Sequence, residues 1–337
     1  MDKLGAAIIG CGSIYKVHAD AIVGSADARL VAVADIEEQK AKAAASQYAC
    51  DFYTDYKEML GSEKIDVVHI CTPHYLHAPM AIEALKNGKH VLVEKPMAIN
   101  EEQAQRMAAE AEKSGRYLGV AFQNRYNNTS LNAKAILDEG TLGPIKGIKG
   151  FVTWYREASY YTQSSWRGKF KTEGGGVLIN QAIHTLDLMQ WLAGDIKAIK
   201  GHVDTRVLDH VIEVEDTADA TIYFENGAVG LFYATNCFTT NAAIEIEVHC
   251  EKGILKINDD ELVLVRDGAK ERIASDQGDS PYKTYWGNSH NKLIGQFYRC
   301  ILEENETDYI TGEEGMTALK MIKGIYQSSS EHAKVFI

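Results

Sequence analysis

The sequence has no long apolar run, no paired cysteines and no signal region, and these absences exclude several classes of protein. Its longest apolar stretches, such as residues 5–10 and 66–71, fall far short of the roughly 20 residues that a membrane span requires. The chain moves straight into a strand-like run without a charged-then-apolar leader. The six scattered cysteines form no CxxC pair, which indicates reduced thiols rather than a disulfide framework. We therefore expect a cytoplasmic globular protein, neither secreted nor fibrous.

The chain also lacks a surplus of basic residues. Its 35 lysines and arginines face 47 aspartates and glutamates, which gives a formal net charge of -12. An acidic surface repels nucleic-acid phosphates and anionic lipid, so we expect no nucleic-acid and no membrane partner. Of the 337 residues, 45% are hydrophobic, and this length favours two domains because single cores stop growing near ~250–300 residues.

Apolar strands alternate with helices over the first third of the chain. The predicted strands are continuously apolar and lie at residues 6–9, 30–35, 66–71, 90–94 and 118–122. Helices are predicted between them, including one over 100–114 in which Gln103 follows the N-cap Asn100 by three residues. Strands of this kind, separated by helices, indicate a parallel sheet covered on both faces. We predict an α/β, doubly wound Rossmann domain over residues 1–124.

After about Asn124 the pattern changes to β-like runs joined by turn signals. Following a strand near 148–154, these runs lie at residues 199–207, 217–224, 228–234, 243–249, 253–257 and 261–266. Links such as Glu225-Asn226-Gly227 favour hairpins. We predict a second α/β domain over residues 125–337, with a large, mostly antiparallel open sheet.

Helices and a loop complete the second predicted domain. One helix runs from about Asn180 to Leu192, and two closing helices lie near residues 289–304 and 313–330. The polar stretch 267–283 is predicted to be a surface loop.

A glycine pair directly follows the first predicted strand, in Gly10-Cys11-Gly12-Ser13-Ile14. Gly10 permits a tight turn, and Gly12 lets a pyrophosphate approach the free N–H groups at the start of the next helix. Tyr15 replaces the third glycine of GxGxxG, so the pair alone is also typical of an ordinary strand–helix turn.

Asp35, at the end of the second predicted strand, adds to this signal. A carboxylate there binds the ribose hydroxyls of the adenosine and repels a 2′-phosphate. Taken alone, Asp35 is also typical of a helix N-cap. Together with the glycine pair it predicts a dinucleotide site that prefers NAD over NADP.

The segment Cys71-Thr72-Pro73-His74-Tyr75-Leu76-His77 lies at the carboxyl end of the third predicted strand, where ligands of open parallel sheets bind. Its Cys-x2-His-x2-His spacing also offers zinc ligands. A structural zinc site recruits a fourth ligand at short spacing, and the sequence has none nearby. We therefore predict no metal.

Lys95 also falls at a strand end, in Glu94-Lys95-Pro96. Pro96 disfavours the helical conformation for Lys95 and fixes the exit of the chain. A partly desolvated lysine there could act as an acid or base, or bind a reacting hydroxyl. The alternative is a surface lysine before a turn proline.

A polar set follows the triplet Gly174-Gly175-Gly176. On one helix, Asn180, His184 and Asp187 would share a face, because residues i, i+4 and i+7 do so. Glycines before that helix allow a ligand or another backbone to approach closely. The alternative is that His184 is a packing residue.

These motifs, in this order, resemble the Gfo/Idh/MocA family of oxidoreductases, which includes inositol, glucose and nucleotide-sugar dehydrogenases. The resemblance covers nearly the whole chain. It rests on Gly10-x-Gly12-x-Ile14 with His18, Asp35, Thr72-Pro73 with His77, Glu94-Lys95-Pro96, Trp166-Arg167, and Gly174-Gly175-Gly176 to His184-x-x-Asp187. It implies a Rossmann domain followed by an α/β domain whose open sheet commonly forms an oligomer interface, and hence a homodimer or homotetramer.

The resemblance also implies roles for individual residues. NAD would be bound by Gly10, Gly12, Ser13, Ile14, Asp35, Thr72, Pro73, His77, Glu94 and Lys95. Lys95 would contact the nicotinamide ribose and the reacting hydroxyl, and His184 would be the general acid/base. The substrate would be contacted by Lys95, Arg125, Trp166, Arg167, Asn180 and His184.

Position 180 departs from the family, because many members carry Asp there and this chain has Asn180. An amide cannot take a proton, so we expect Asn180 only to position a hydroxyl. His290 is a further candidate that could reach the pocket from the second domain.

We predict an NAD-dependent dehydrogenase acting on CH–OH groups, which moves a hydride between nicotinamide and a secondary alcohol or ketone of a sugar, cyclitol or sugar derivative. One alternative is a redox-neutral glycoside-processing enzyme that keeps NAD bound and oxidises the sugar transiently. Another is a non-catalytic nucleotide-binding protein, against which the presence of both Lys95 and His184 argues. Aromatic walls for a sugar are suggested by Tyr155, Tyr160, Tyr161 and Trp166.

Overall fold

The computed structural model describes residues 3–258, 260–276 and 289–337, which form two compact units. The first unit holds residues 3–123 and 289–316, and the second holds residues 124–258, 260–276 and 317–337. The sequence predicts a second domain from residue 125 onward, whereas the structure packs residues 289–316 with the first unit. The apolar periodicity of a helix shows that it needs a core, but not which core it joins.

A six-stranded parallel sheet forms the centre of the first unit. Its strands are β1 (Leu4–Ile9), β2 (Ala28–Ala34), β3 (Asp51–Tyr53), β4 (Val67–Ile70), β5 (His90–Glu94) and β6 (Leu118–Ala121). Their spatial order is β3-β2-β1-β4-β5-β6, with parallel pairing throughout. The order reverses between β1 and β4, and ligands of such sheets bind at that switch point, outside the carboxyl ends of the strands. The predicted Rossmann fold is confirmed.

Helices connect these strands. They are α1 (Tyr15–Val23), α2 (Glu38–Tyr48), α3 (Tyr56–Leu60), α4 (His74–Lys86) and α5 (Glu101–Ser114). The N-cap predicted for α5 is present, since the Gln103 backbone N–H donates to Asn100 Oδ1 at 2.9 Å. Gly115 ends the helix in the left-handed conformation, with φ at +62°.

The second unit is built on a nine-stranded mixed sheet. Its strands are β7 (Ile145–Thr153), β8 (Ile196–Asp204), β9 (Thr217–Phe224), β10 (Val229–Thr235), β11 (Glu245–Cys250), β12 (Gly253–Asn258), β13 (Glu261–Arg266), β14 (Ala269–Ser275) and β15 (Val335–Phe336). Their order is β14-β13-β12-β11-β7-β10-β9-β8-β15, and only the β7–β10 pair among these is parallel. The predicted, mostly antiparallel sheet is confirmed.

Helices of the second unit include four short elements before β8. A 3₁₀ turn (Gln123–Tyr126) leads into them from the first unit, and they are α6 (Asn128–Asp138), α7 (Ala158–Thr162), α8 (Val177–Asn180) and α9 (Ile183–Ala193). Two closing helices follow, α10 (His290–Leu302) in the first unit and α11 (Gly312–Glu331), which begins in the first unit and continues in the second. No helix in the described ranges is long and apolar enough to cross a bilayer.

The surface loop predicted over 267–283 is wrong for residues 269–275, which form β14. Arg266 pairs with Ala269 across a two-residue turn, and its central residues, Asp267 and Gly268, both have positive φ, at 53° and 80°. Asp-Gly is a strong signal for such a hairpin. The polarity that suggested a loop belongs to an exposed edge strand, and residues 277–283 lie outside the described ranges.

Candidate functional site

Two glycines shape the turn between β1 and α1, and the structure gives them different tasks. Gly10 has φ at +96°, and a Cβ there would lie 2.7 Å from the Cys71 carbonyl oxygen, so no other residue fits. Gly12 is exposed, and a Cβ there would meet nothing within 4 Å. The space beside Gly12 is therefore open at the start of α1, as binding of a pyrophosphate requires.

Asp35 directly follows β2, and its carboxylate is held in place by two backbone N–H groups. Cys11 N donates to Oδ2 and Glu37 N donates to Oδ1, each at 2.8 Å. The next side chain, Ile36, is apolar and 90% exposed. A fixed carboxylate beside an open apolar surface suits the ribose hydroxyls and the adenine face of a dinucleotide.

At the carboxyl end of β4, Thr72 carries an orphaned hydroxyl. Its Oγ1 is buried and has no hydrogen-bond partner among the described residues, so it is available to a ligand. Nearby, the ring nitrogens of His77 lie 2.7 Å from the Pro96 carbonyl oxygen and 2.8 Å from that of Thr72. The neutral His77 ring carries one N–H and donates to one of these carbonyl oxygens, so it ties α4 to the end of β4 or of β5.

Behind Lys95, a buried chain of side chains ends at Glu94. Tyr298 Oη lies 2.7 Å from His69 Nε2, His69 Nδ1 lies 2.8 Å from His18 Nδ1, and His18 Nε2 lies 2.8 Å from Glu94 Oε1. One proton arrangement satisfies every member: each side chain donates to the next, from the tyrosine hydroxyl to the carboxylate. Sequence motifs indicated His18 and Glu94 but not His69 or Tyr298.

Glu94 is ionised in this arrangement. Burial raises its pKa, but the hydrogen bond with His18 and the closeness of the His290 ring outweigh burial and hold the pKa well below its usual range. His290 was expected to serve a pocket from the second domain. The structure instead places it in the first unit, with Nε2 3.6 Å from Glu94 Oε1. The ligand atoms of His18, Glu94 and His290 lie within 4.8 Å of one another, and a hydrogen bond of 2.8 Å joins the first two.

We expect the first unit to lose stability in mild acid because it buries neutral histidines. Burial lowers the pKa of His69, His77 and His290, and lowers that of His90 to about 4. Below about pH 6.5 the unfolded chain then binds more protons than the folded one, which removes up to ~1.4 kcal/mol per pH unit for each histidine. Urea unfolding at about pH 7.5 and about pH 5.5 measures this loss.

The variant His90→Gln should make the pH dependence of unfolding shallower. His202→Gln is the matched control, because the His202 side chain is 53% exposed and should not affect that slope. An unfolding midpoint that stays constant across this pH range in the unmodified protein would contradict the neutral assignment.

In the second unit, the helix predicted from Asn180 to Leu192 is two helices. Asn180 ends α8, and α9 begins at Ile183. The prediction that Asn180 shares a helix face with His184 and Asp187 is therefore wrong. The Ala182 N–H bonds the Val177 carbonyl five residues back, which closes α8. His184 lies in the first turn of α9 and is 8% exposed.

The Glu215 carboxylate holds the start of α8 from outside the helix. It accepts from Gly176 N at 3.0 and 3.1 Å and from Leu178 N at 2.9 Å. These bonds satisfy N–H groups at the start of α8, where a helix offers no carbonyl partner of its own. The separate short helix therefore depends on a residue far along the chain.

Arg125, expected at the substrate or cofactor, is engaged elsewhere. Its Nε donates to Asp187 Oδ2 at 2.9 Å and its Nη2 to Oδ1 at 2.7 Å, in a bidentate pair. The two side chains are only 5% and 1% exposed. The pair links the 3₁₀ turn before α6 to α9, which gives Arg125 a structural partner.

Two of the predicted substrate residues, Arg167 and Asn180, contact Tyr160, and a third, Trp166, lies against Arg167. The Arg167 guanidinium carbon is 4.3 Å from the Tyr160 ring centroid and 4.8 Å from that of Trp166, and Asn180 Nδ2 is 3.3 Å from Tyr160 Oη. Such a cluster presents aromatic faces and a cation to a polar ligand. From the sequence, Tyr160 is only one of several aromatic candidates for a sugar-binding wall.

All of the predicted cofactor residues lie in the first unit, at or just beyond the carboxyl ends of β1, β2, β4 and β5. These four strands are neighbours in the sheet. The remaining candidates, Arg125, Trp166, Arg167, Asn180 and His184, lie in the second unit.

Comparisons with known proteins agree with this geometry. A family model described as "Oxidoreductase family, NAD-binding Rossmann fold" matches residues 4–122, and a model of the GFO/IDH/MocA C-terminal domain matches residues 130–256. The chain is 33% identical over 260 residues to D-glucoside 3-dehydrogenase of Escherichia coli K12, with 71% of each protein covered. It is 29% identical over 258 residues to the NAD-dependent scyllo-inositol 2-dehydrogenase of Bacillus subtilis 168, covering 74% of this chain and 72% of the relative.

A solved structure is similar over the full length. The WlbA dehydrogenase of Bordetella pertussis, crystallised with NADH and UDP-GlcNAcA, superposes with a TM-score of 0.86 at 28% identity. The match covers 100% of this chain and 99% of the other.

Proposed function

The chain belongs to the Gfo/Idh/MocA family of NAD-binding oxidoreductases, and we propose that it is a dehydrogenase acting on a secondary alcohol of a sugar, cyclitol or sugar derivative. The observation that carries the proposal lies at the carboxyl ends of four adjacent strands. There the open Gly12 turn, the fixed Asp35 carboxylate, the orphaned Thr72 hydroxyl and Lys95 line one edge of the sheet. This set suits a dinucleotide and a reacting hydroxyl.

The proposed chemistry divides among a few side chains. Bound NAD supplies the nicotinamide carbon that accepts or returns the hydride. Lys95 donates a hydrogen bond to the substrate oxygen and stabilises its developing negative charge, while His184 takes the hydroxyl proton. Asn180 positions a hydroxyl, and Trp166 and Arg167 contact the substrate beside Tyr160.

The substrate class follows from the relatives and the Tyr160 cluster together. The names of the relatives specify a glucoside and an inositol, and the structural neighbour was crystallised with a nucleotide sugar. Aromatic rings stack on sugar faces, and the Arg167 guanidinium can bind a carboxylate or phosphate substituent. We propose that this chain takes a polyhydroxylated ring.

A substrate panel tests the function directly. The purified protein is mixed with NAD and with cyclitols, free sugars, glycosides or nucleotide sugars, and absorbance of the reduced nicotinamide is followed. We expect NADH to accumulate with one of these classes. Consumption of a glycoside without free NADH would favour the redox-neutral alternative, and NAD binding without any conversion would favour a non-catalytic protein.

We further propose that Asp35 makes NAD the preferred cofactor. Two like charges about 4 Å apart at a protein surface repel by about 4 kcal/mol. Even half of that repulsion, between the Asp35 carboxylate and the 2′-phosphate, weakens the binding of NADP by ~30-fold. The variant Asp35→Asn keeps a hydrogen-bond acceptor but loses the charge. It should lower the ratio of kcat/KM with NAD to kcat/KM with NADP, chiefly by raising the value with NADP. Glu38→Gln, an exposed acid on α2, is the control. Equal use of both cofactors by the unmodified protein would contradict this role.

We also propose that the protein is a cytoplasmic homodimer or homotetramer. On β10, Val229 and Leu231 are 39% and 54% exposed and alternate with buried residues, so the sheet presents apolar side chains on its outer side. All six cysteines are free, which suits a reducing compartment. Light scattering of the purified protein measures the subunit number.

A further inference from the structure

Glu173, which no motif pointed to, is a wholly buried carboxyl beside Asn180. Its side chain is 0% exposed, and its two oxygens are occupied by different donors. The Gly168 backbone N–H donates to Oε2, and the Asn180 side-chain amide donates to Oε1 through Nδ2. The residue stands immediately before the glycine triplet, and these two bonds hold both of its carboxyl oxygens.

This contact determines which way round the Asn180 amide lies. An ionised carboxylate can only accept hydrogen bonds, so it must face the NH2 end of the amide and not the carbonyl end. Tyr160 Oη, 3.3 Å from Nδ2, lies on the same end of the amide. With the NH2 group directed to these two partners, the carbonyl end of the amide faces away from Glu173, and its Oδ1 has two lone pairs with which to accept hydrogen bonds.

We propose that Glu173 is a positioning residue, which holds the Asn180 amide so that Oδ1 accepts a hydrogen bond from a substrate hydroxyl. The proposal rests on the proposed function for the identity of the ligand as a polyol. The coupling between Glu173 and Asn180 rests on the geometry of the second unit alone.

Several charged and titratable groups face Glu173 and set its protonation. Burial is the largest influence and raises its pKa to about 7, with Glu215 adding to the rise and Gly168, Asn180 and Arg167 opposing it. Tyr161 and Tyr326 also face it, but their own pKa values are raised by burial, so both remain neutral in this range.

A carboxyl that titrates near neutrality makes the orientation of Asn180 depend on pH. Above the pKa the carboxylate holds the NH2 group, and Asn180 offers an acceptor. Below it, the protonated carboxyl donates its own O–H, and the carbonyl end of the amide turns toward it. Recognition of a hydroxyl donor is therefore lost as the pH falls through about 7.

The coupling is measured without substrate by NMR of protein labelled at asparagine side chains. The Asn180 amide resonance is identified by its disappearance in Asn180→Ser. We expect it to shift with a midpoint near pH 7 in the unmodified protein and to be independent of pH in Glu173→Gln. Glu213→Gln, which removes an exposed acid from the same unit, should titrate like the unmodified protein. A resonance that does not titrate, or titrates equally in Glu173→Gln, overturns the proposal.

Kinetics with the substrate found in the panel provide the second measurement. In Glu173→Gln we expect KM to rise by about 10-fold at alkaline pH and to lose its pH dependence near 7, since one charge-assisted hydrogen bond is replaced by a neutral one. Affinity for NAD should be unchanged. A KM that keeps the unmodified pH profile contradicts the proposal.

A double variant distinguishes loss of the contact between Glu173 and Asn180 from loss of folding. Asn180→Asp alone sets two carboxyls side by side and should raise KM by about 100-fold. In the double variant with Glu173→Gln, the new amide donates to the new carboxylate, and KM should return to within about 10-fold of the unmodified protein. Additive losses overturn the proposal. If the resonance titrates as expected but no alcohol is oxidised, the proposed function fails while the coupling stands.

Discussion

Replacing Lys95 with alanine should lower turnover by about 10²–10³-fold while NAD affinity stays close to that of the unmodified protein. The expected loss is that of one donor aimed at an oxygen that gains negative charge in the transition state. The backbone contact at this position survives, because Lys95 N, not its side chain, donates to Glu94 Oε2 at 3.2 Å. A steady-state assay of kcat and a binding titration with NAD, on the same preparation, measure the two quantities.

Lys86→Ala is the matched control for this prediction, since Lys86 is an exposed lysine at the end of α4. It should leave both turnover and NAD affinity unaltered. If Lys95→Ala turns over as fast as the control, Lys95 has no part in the chemistry, and its position before Pro96 is only that of a surface residue at a turn.

The largest loss of stability is expected from Asp187→Ala. This change leaves the Arg125 guanidinium, 5% exposed, without its bidentate partner. Removing one member of a buried ion pair costs about 3–5 kcal/mol, because the other charge stays desolvated. The free energy of unfolding in urea, followed by tryptophan fluorescence, measures this loss.

The exposed pair of Asp204 and Arg206 offers a comparison in the same unit, with side chains 47% and 44% exposed. Asp204→Ala should change the free energy of unfolding by less than about 1 kcal/mol. A similarly small effect of Asp187→Ala would show that Arg125 finds another partner. It would also return Arg125 to the candidates for substrate binding.

The parts of this protein that could be predicted from sequence are those whose causes are local. The strand His90–Glu94 was predicted at its observed bounds, since a strand buried on both faces is apolar without interruption. The glycine turn and Asp35 could be located because their geometry depends on residues within one strand–turn–helix unit. The Asp267-Gly268 hairpin was also local, but the polarity of an exposed edge strand concealed it.

What could not be predicted depends on residues far apart in the chain. His69 and Tyr298 bond across 229 positions, and Glu215 holds the start of α8 from 39 positions away. Hydrogen bonds of this kind leave no spacing or periodicity in the sequence. The break that separates Asn180 from His184, and the buried partner of Asn180, were therefore visible only in the structure.

Helix α10 reaches the first unit only after almost the entire second unit has left the ribosome. Until then His69 lacks its hydrogen bond to the Tyr298 hydroxyl, and β6 lacks its contact with the ring of Phe297. That ring packs closely on Gly119, where a Cβ would lie 2.8 Å from it. Domains near the amino terminus usually fold first during synthesis, but this one must wait with part of its core open to water. A gene fragment that stops at residue 124 should thus yield an aggregation-prone product, whereas one that rejoins residues 289–316 to residue 123 through a flexible linker encodes the complete core.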